Sequence, residues 1–158
     1  NADECTGNGG SKFGYPIVVD KSGGGNFTRF NLPLILFLKK IINGSKFKLI
    51  PMSTFAAKIL GDKSAFFKCG FLGLQDTLWD ASGRHYFAKC HIEAAADFIF
   101  GSGQSIYHAC KINVTAGALS SQYPYGYITA QGQGSSDDTS GFVFKGGTLF
   151  GNVRPYLG

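Results

Sequence analysis

Residues Gln75–Gly103 read QDTLWDASGRHYFAKCHIEAAADFIFGSG, and the fold follows from this stretch. Two acidic residues stand in it among apolar neighbours: Asp76 in Gln75-Asp76-Thr77-Leu78-Trp79, and Asp97 in Asp97-Phe98-Ile99-Phe100-Gly101. The step from Asp76 to Asp97 equals the step from Cys69 to Cys90, and the step on to Cys110 is shorter by a single position. A similar phrase surrounds each cysteine: Phe66-Phe67-Lys68-Cys69, Phe87-Ala88-Lys89-Cys90 and Tyr107-His108-Ala109-Cys110. A phrase rich in aromatic and β-branched residues that returns at such a period, about 20 residues, is a structural repeat, with one strand expected per period.

A repeat of this length reads as one coil of an all-β solenoid, a right-handed, single-stranded parallel β-helix. No coil buries its apolar face alone, so coils stack, and neighbouring strands then lie about 4.8 Å apart. Residues one period apart sit one above the other. Asp76 is therefore expected beside Asp97, and Cys69 beneath Cys90 and Cys110. Two carboxyl groups so placed do not both ionise easily; one pKa rises and the other stays low. That yields a proton donor beside an anionic nucleophile or base, the working pair of a hydrolase. The competing reading is that both acids cap the same turn in successive coils.

The 158 residues include 23 glycines, 15% are aromatic, and the formal charge is +5 with a pI near 9.0. Abundant glycine with short apolar runs favours strands and turns. The basic balance favours polyanions: nucleic acid, an acidic membrane surface or an acidic polysaccharide. No run of five Lys/Arg and no nucleic-acid motif accompanies it, which disfavours nucleic acid. The longest apolar run, Leu32–Leu38, contains Pro33 and falls far short of the roughly 20 residues that span a bilayer. Starting at Asn1, the chain is compatible with a leader already removed. Asn26-Phe27-Thr28, Asn43-Gly44-Ser45 and Asn113-Val114-Thr115 are glycosylation sequons.

Residues 1–14 are expected as a loose tail, Ile17–Val19 as a strand, and the glycine-rich Asp20–Thr28 as a turn entering the first coil. Leu34–Ile42 after Pro33 is read as a short helix. The coil pattern is regular from Gly61. Thr115–Tyr125 and Gln133–Ser140 are expected as loops, and Phe142–Phe150 repeats the phrase with Gly in place of Cys. The stacked cysteines read as buried small hydrophobes, with disulfide pairing, Cys5 included, as the alternative. No CxxC exists and the three histidines lack metal spacing, so zinc is not expected. His85, His91 and His108 read as structural.

Gly73-Leu74-Gln75-Asp76-Thr77-Leu78 and Asp97-Phe98-Ile99-Phe100-Gly101 resemble two signature blocks of plant pectin methylesterases (pectinesterases). Gly61–Phe67, Ser82–Phe87, Ile128–Gly132 and Tyr156-Leu157-Gly158 also look like that family, in its order, and so does the patch near residues 20–28. The resemblance implies one β-helix domain over residues 1–158, without a cofactor, acting on methylated pectin in the plant cell wall. It also implies secretion and admits a proteinaceous pectinesterase inhibitor as a partner. Asp97 would attack the methyl ester carbonyl, Asp76 would serve as acid and then base, and Gln75 would donate to the oxyanion. Trp79 and Phe100 would line the groove and stack on sugar rings, or pack in the core. Residues 29–58 depart from the family: the position of its second glutamine holds Ser53 or falls beside Thr54. Its arginine after Tyr-Leu-Gly is not in the chain, and Arg154 stands too early to replace it. The expectation is therefore a partial family domain of weak or no activity, with a pectin-binding or partner-binding homologue as the alternative.

Overall fold

The computed structural model describes residues 55–116 and 125–158, together with the backbone of three strands at 17–19, 28–30 and 35–36. Among these residues, in chain order, the strands are β1 (Ile17–Val19), β2 (Thr28–Phe30), β3 (Ile35–Leu36), β4 (Ala57–Ile59), β5 (Ser64–Phe67), β6 (Gly70–Leu72), β7 (Leu78–Ala88), β8 (His91–Ala94), β9 (Ile99–His108), β10 (Lys111–Val114), β11 (Tyr125–Tyr127), β12 (Thr129–Ala130), β13 (Gly141–Lys145), β14 (Thr148–Gly151) and β15 (Arg154–Tyr156). Their pairings are parallel throughout. The chain forms the expected parallel β-helix.

Each coil carries strands on three faces rather than the one strand expected per period. β1, β4, β12 and the first halves of β7 and β9 make one face. β2, β5, β13 and the second halves of β7 and β9 make the next. β3, β6, β8, β10 and β14 make the third. β7 and β9 bend from one face to the next where their register shifts, between Trp79 and Ser82. In three coils the corner into the third face needs only one left-handed residue, Lys68, Lys89 and Ala109 with φ of 53°, 55° and 53°; the last coil uses two, Gly146 at 64° and Gly147 at 96°. Lys68, Lys89 and Ala109 each immediately precede a cysteine, so the recurring Lys/Ala-Cys pair is the sequence of a corner.

Side chains at equivalent positions then form ladders. Phe66, Phe87, Tyr107 and Phe144 stack face to face with centroids 4.9, 4.6 and 4.9 Å apart. Such offset stacking adds to what burial alone gives. Cys69, Cys90 and Cys110 are buried as thiols, stacked as expected. Hydrogen bonding with Cys110 and Cys69, together with burial, pushes the Cys90 thiol far up, so it stays protonated.

Inside the bend lies a buried polar knot. Asp80 is inaccessible; Tyr107 donates its hydroxyl proton to Oδ2 at 2.7 Å, and His85 Nδ1 lies 2.5 Å from Oδ1. His85 Nε2 reaches the Gly61 carbonyl at 3.0 Å. Burial, then the charge of Asp80, raises the Tyr107 pKa well above that of a free phenol. Gly103 makes room for the carboxylate, since a Cβ there would stand 2.0 Å from Asp80 Oδ1. At the mouth of the bend Arg84 holds Asp62 through its guanidinium and its backbone N–H. These bonds keep Asp62 well below the usual carboxylate range.

A second expectation is corrected. Ile35–Leu36, within the stretch read as a helix, form a strand pairing with Phe71 and Leu72; a third-face strand already waits there, and its open edge overrides the helix-start signal of Pro33. The rest of that stretch, the tail with Cys5, the glycine-rich turn up to Phe27, the Asn43 sequon, Ser53 and Thr54 lie outside the described residues. Gln133–Ser140 is a loop as read, closed by Asp138, which accepts from the Gly134 and Ser140 amides.

In a Cys5→Ser chain, no thiol is expected to react with an aromatic disulfide reagent until denaturant unfolds the coils, and Cys69, Cys90 and Cys110 should then appear together. Tyr107→Phe strips a donor from a buried carboxylate and should cost about 1–3 kcal/mol in urea unfolding. Gly103→Ala should cost more, because it displaces the carboxylate itself.

Candidate active site

The turn from the third face back to the first is built the same way in two successive coils. Residues 73–77 sit on residues 94–98, pinned by Gly73 N–H to the Glu93 carbonyl (2.9 Å), Ala95 N–H to Leu74 (2.8 Å) and Leu78 N–H to Phe98 (2.7 Å). An isolated parallel bridge joins Gln75 to Ala96, and Leu78 pairs with Ile99. Between these two pins, Asp76 and Asp97 share one register position. Both are left-handed, at φ 51° and 48°, a conformation that Asp tolerates better than most residues. The same backbone conformation at stacked positions aims the two side chains the same way. Gly73 is required beneath them, because a Cβ there would meet Thr77 Oγ1 at 2.3 Å.

The two carboxyls differ in surroundings. Asp76 and Gln75 are exposed and Asp97 is half-buried. Partial burial, followed by the charge of Asp97, raises the Asp76 pKa above that of an ordinary carboxyl. The sequence predicts this asymmetric pair, and the register brings it together. The turn also places Gln75 immediately before Asp76.

Trp79 and Phe100 lie at the second position of the strands that leave this turn, in register with Lys58. Both face outward and are half-buried, rather than lying in the core. Their rings stack on one another at 5.7 Å and 18°. Lys58 Nζ lies 3.7 Å from the Trp79 ring centroid, and Phe55 meets the ring edge-on at 5.6 Å. Lys58 comes from the coil before and Phe100 from the coil after, so the two faces of the indole are occupied. Trp79 therefore presents its edges to a ligand.

The acid column continues upward through tyrosines that sequence reasoning missed. Asp97 donates its N–H to the Tyr127 carbonyl at 2.8 Å, and Tyr127 pairs with Tyr156. Their rings stack at 5.9 Å and 26°, and Tyr125 meets Tyr156 edge-on. All three are between 41% and 49% exposed. The alternation Tyr125-Gly126-Tyr127 was the available signal. Arg154 is exposed in β15.

The histidines stand apart from the acids: His85 in the polar knot, His108 on the Tyr86 hydroxyl, and His91 on Glu93. Asn113 of the third sequon faces outward and donates to Glu93 at 2.6 Å. A polar concavity is lined by Asp62, Arg84 and Asp138, and an apolar one by Phe67, Tyr86, Ile106 and Val143; neither includes the acids. Among the described residues no cluster of His, Cys, Asp and Glu is placed to hold a metal ion, and no helix is long and apolar enough to cross a membrane.

Comparison with known proteins gives one family. The family model described as Pectinesterase matches residues 52–155. The chain is 55% identical over 103 residues to probable pectinesterase 55 of Arabidopsis thaliana and 53% identical to probable pectinesterase 29 of the same plant. Each match covers 65% of this chain but only 31% and 30% of the relative, so the chain spans about a third of those proteins. Its fold is similar to that of a carrot pectin methylesterase, with TM-score 0.63 at 21% identity, covering 89% of this chain and 56% of that one. It is also similar to pectin methylesterase PemA from Erwinia chrysanthemi, with TM-score 0.65 at 23% identity, covering 86% and 41%. A third likeness is to a pectin methylesterase solved in complex with a hexasaccharide, with TM-score 0.61 at 25% identity, covering 78% and 39%.

Asp97→Asn should move the Asp76 titration down, but only part of the way to an ordinary carboxyl, because burial outranks the Asp97 charge as its cause. The raised folded-state pKa means that Asp76 loses folding stability as pH climbs past the ordinary carboxylate range toward that value. Carboxyl NMR and thermal melts of both chains across that window check the shift and the sign: the variant should gain most on the alkaline side.

Proposed function

The chain belongs to the pectinesterase family, and from that premise we propose that it hydrolyses methyl esters of pectin, with Asp97 as nucleophile and Asp76 as proton donor and acceptor. The observation that carries this reading is the stacked Asp76/Asp97 pair with unequal surroundings.

The Asp97 carboxylate attacks the ester carbonyl carbon, and the carbonyl electrons move onto oxygen. The Gln75 amide donates to that developing oxyanion. As the intermediate collapses, the C–OCH3 bond breaks, and methoxide takes the proton of Asp76 and leaves as methanol. Asp76 is now the base. It removes a proton from water, which attacks the acyl-enzyme carbonyl and releases the free acid and Asp97. A carboxyl held above its ordinary pKa suits the first step, and its ionised form suits the second. Trp79 and Phe100 border the site by ring edge and outer face, and Tyr127 and Tyr156 continue the acid column beside them. The net positive charge favours approach to a polyanion that becomes more acidic as esters are removed.

With this activity the protein works outside the cell, in the plant wall, as a secreted glycoprotein. Asn113, outward on the third face and away from the acids' turn, is its natural carrier of a glycan. A proteinaceous inhibitor would act by covering the acid column.

Methanol release from highly methylated pectin tests the proposal. Asp97→Asn should abolish turnover while pectin binding persists, and Gln75→Ala should cost about 10²–10³ in rate. The first half-reaction needs Asp76 protonated, so acylation should fall as pH rises through its folded-state pKa. A parent chain that binds pectin, releases no methanol and is unchanged by Asp97→Asn would make it a binding homologue instead.

A further inference from the structure

Successive coils each place a lysine at or beside the corner between the second face and the third. Lys68 and Lys89 are left-handed residues of that corner, at φ 53° and 55°. Lys111 opens β10, just past Ala109, and Lys145 closes β13, just before Gly146. All of these lysines are exposed. Among the described residues the ion pairs are Arg84–Asp62, His85–Asp80 and His91–Glu93, and none of these lysines enters one.

The register stacks these cations along the coil axis. The backbone N–H of Lys68 donates to the Ala88 carbonyl, that of Lys89 to His108 and that of Ala109 to Lys145, each at 2.9 Å, so successive corners are superposed. The shared backbone conformation aims Lys68 and Lys89 the same way. With coils about 4.8 Å apart, the column from Lys68 to Lys145 runs about 14 Å along the axis. The outward rows on either side of it are Phe67–Ala88–His108–Lys145 and Gly70–His91–Lys111–Thr148, and neither contains a carboxylate. His108 is engaged by the Tyr86 hydroxyl. Glu93, in the next outward row of the third face, is engaged by His91 and Asn113. Like charges held side by side on neighbouring strands repel, and no described residue of this corner offsets them.

We propose that this corner is a second, non-catalytic binding site whose ligand is a polyuronate, laid along the coil axis with its carboxylates on the ammonium groups of Lys68, Lys89, Lys111 and Lys145. Each contact is a charge-assisted hydrogen bond. A single column of cations on a convex corner matches a linear polymer that carries one anion per unit. A nucleic-acid duplex presents two charged strands and a membrane presents a sheet of charge, and neither meets one narrow column. Beside the column the second face is apolar. Ala65, Tyr86, Ile106 and Val143 form its next outward row and, with Phe67, line a concavity. The C–H faces of sugar rings suit that surface, which favours a polysaccharide over an inorganic polyanion. The third face separates this corner from the turn that carries Asp76 and Asp97, so a chain held here leaves the acid pair uncovered. The inference rests on the esterase reading only for the identity of the polymer, because it concerns binding away from the reacting groups.

The test measures, by fluorescence anisotropy, binding of a labelled, fully de-esterified polygalacturonate to the full chain. Affinity should fall as salt is raised, and galacturonate monomer should compete far more weakly than the polymer, because one sugar reaches one rung. The pair Lys68→Gln with Lys89→Gln should weaken the polymer by about three- to tenfold. Lys111→Gln with Lys145→Gln, which leaves the left-handed backbone untouched, should do so by a similar factor. Lys68→Arg with Lys89→Arg keeps the charge and should stay within about twofold of the parent. A fully methylated polymer should bind parent and variants alike. Unchanged affinity in a folded glutamine pair overturns the inference, as does a parent that ignores polygalacturonate. Equal loss of the methylated polymer overturns it too. So does tighter binding, through the same lysines, of polyphosphate or of phosphatidylserine vesicles. Methanol release from a short methylated oligomer, which both glutamine pairs should keep, is assayed separately. Lysine-dependent binding with no methanol from the parent removes the esterase reading and leaves this site standing; methanol release with binding indifferent to these lysines does the reverse.

Discussion

Superposition of one coil on the next is the constraint on which the rest of the molecule depends. In a parallel stack the backbone amides of a coil are satisfied by its neighbours, and a one-residue slip would turn every inward side chain outward. The aromatic ladder Phe66–Phe87–Tyr107–Phe144 and the thiol ladder Cys69–Cys90–Cys110 enforce the register from inside. Like side chains meet like at every rung, and none fits one position off. The Asp80 knot adds a polar check at the bend, since only the correct register brings Tyr107 and His85 to the two oxygens of that carboxylate.

The same constraint makes the acid pair. Any residue repeated at the period is brought beside its copy. Two unit charges about 5 Å apart repel by about 1 kcal/mol in water, and by about 3–4 kcal/mol at the effective dielectric near a protein surface. A sequence selected only for stability would avoid stacking two aspartates. Here the pair is retained, and the turn supplies both with a left-handed backbone that aims them together. Burial and then the neighbouring charge raise the pKa of Asp76, so of the pair it gives up its proton less readily than an ordinary carboxyl. The site is thus a place where the fold's own ladder rule works against stability.

Much of this was legible in the residues. The regular return of the aromatic-rich phrase before each Cys announced stacked coils, and the like spacing of Asp76 and Asp97 announced their shared register position. The stacking of Cys69, Cys90 and Cys110 followed from the same period, while their redox state did not. Three things were not legible. One was the number of strands per coil, because a corner made by a single left-handed Lys or Ala carries no glycine or proline to mark it. Another was the strand at Ile35–Leu36, where Pro33 and an apolar cluster satisfy a helix start equally well, and only the open edge of the third face decides. The last was the outer row. Nothing local says that Lys58 and Trp79, one coil apart, share a rung, or that Phe100 covers the other side of the indole.

The sequence by itself determined the period, and with it the stacking and the meeting of the two aspartates, because a regular repeat leaves a chain one simple way to bury its apolar residues. Only the tertiary structure decided which neighbours each side chain keeps: the faces of Trp79 taken by Lys58 and Phe100, the tyrosines carrying the acid column onward, the carboxylate of Asp80 buried at the bend. Those contacts join residues through coils and corners of unequal length. The step from Cys90 to Cys110 is shorter than that from Cys69 to Cys90, and the step from Asp97 to Tyr127 is far longer than that from Asp76 to Asp97. Closure in space, and not spacing in the chain, therefore sets the partner.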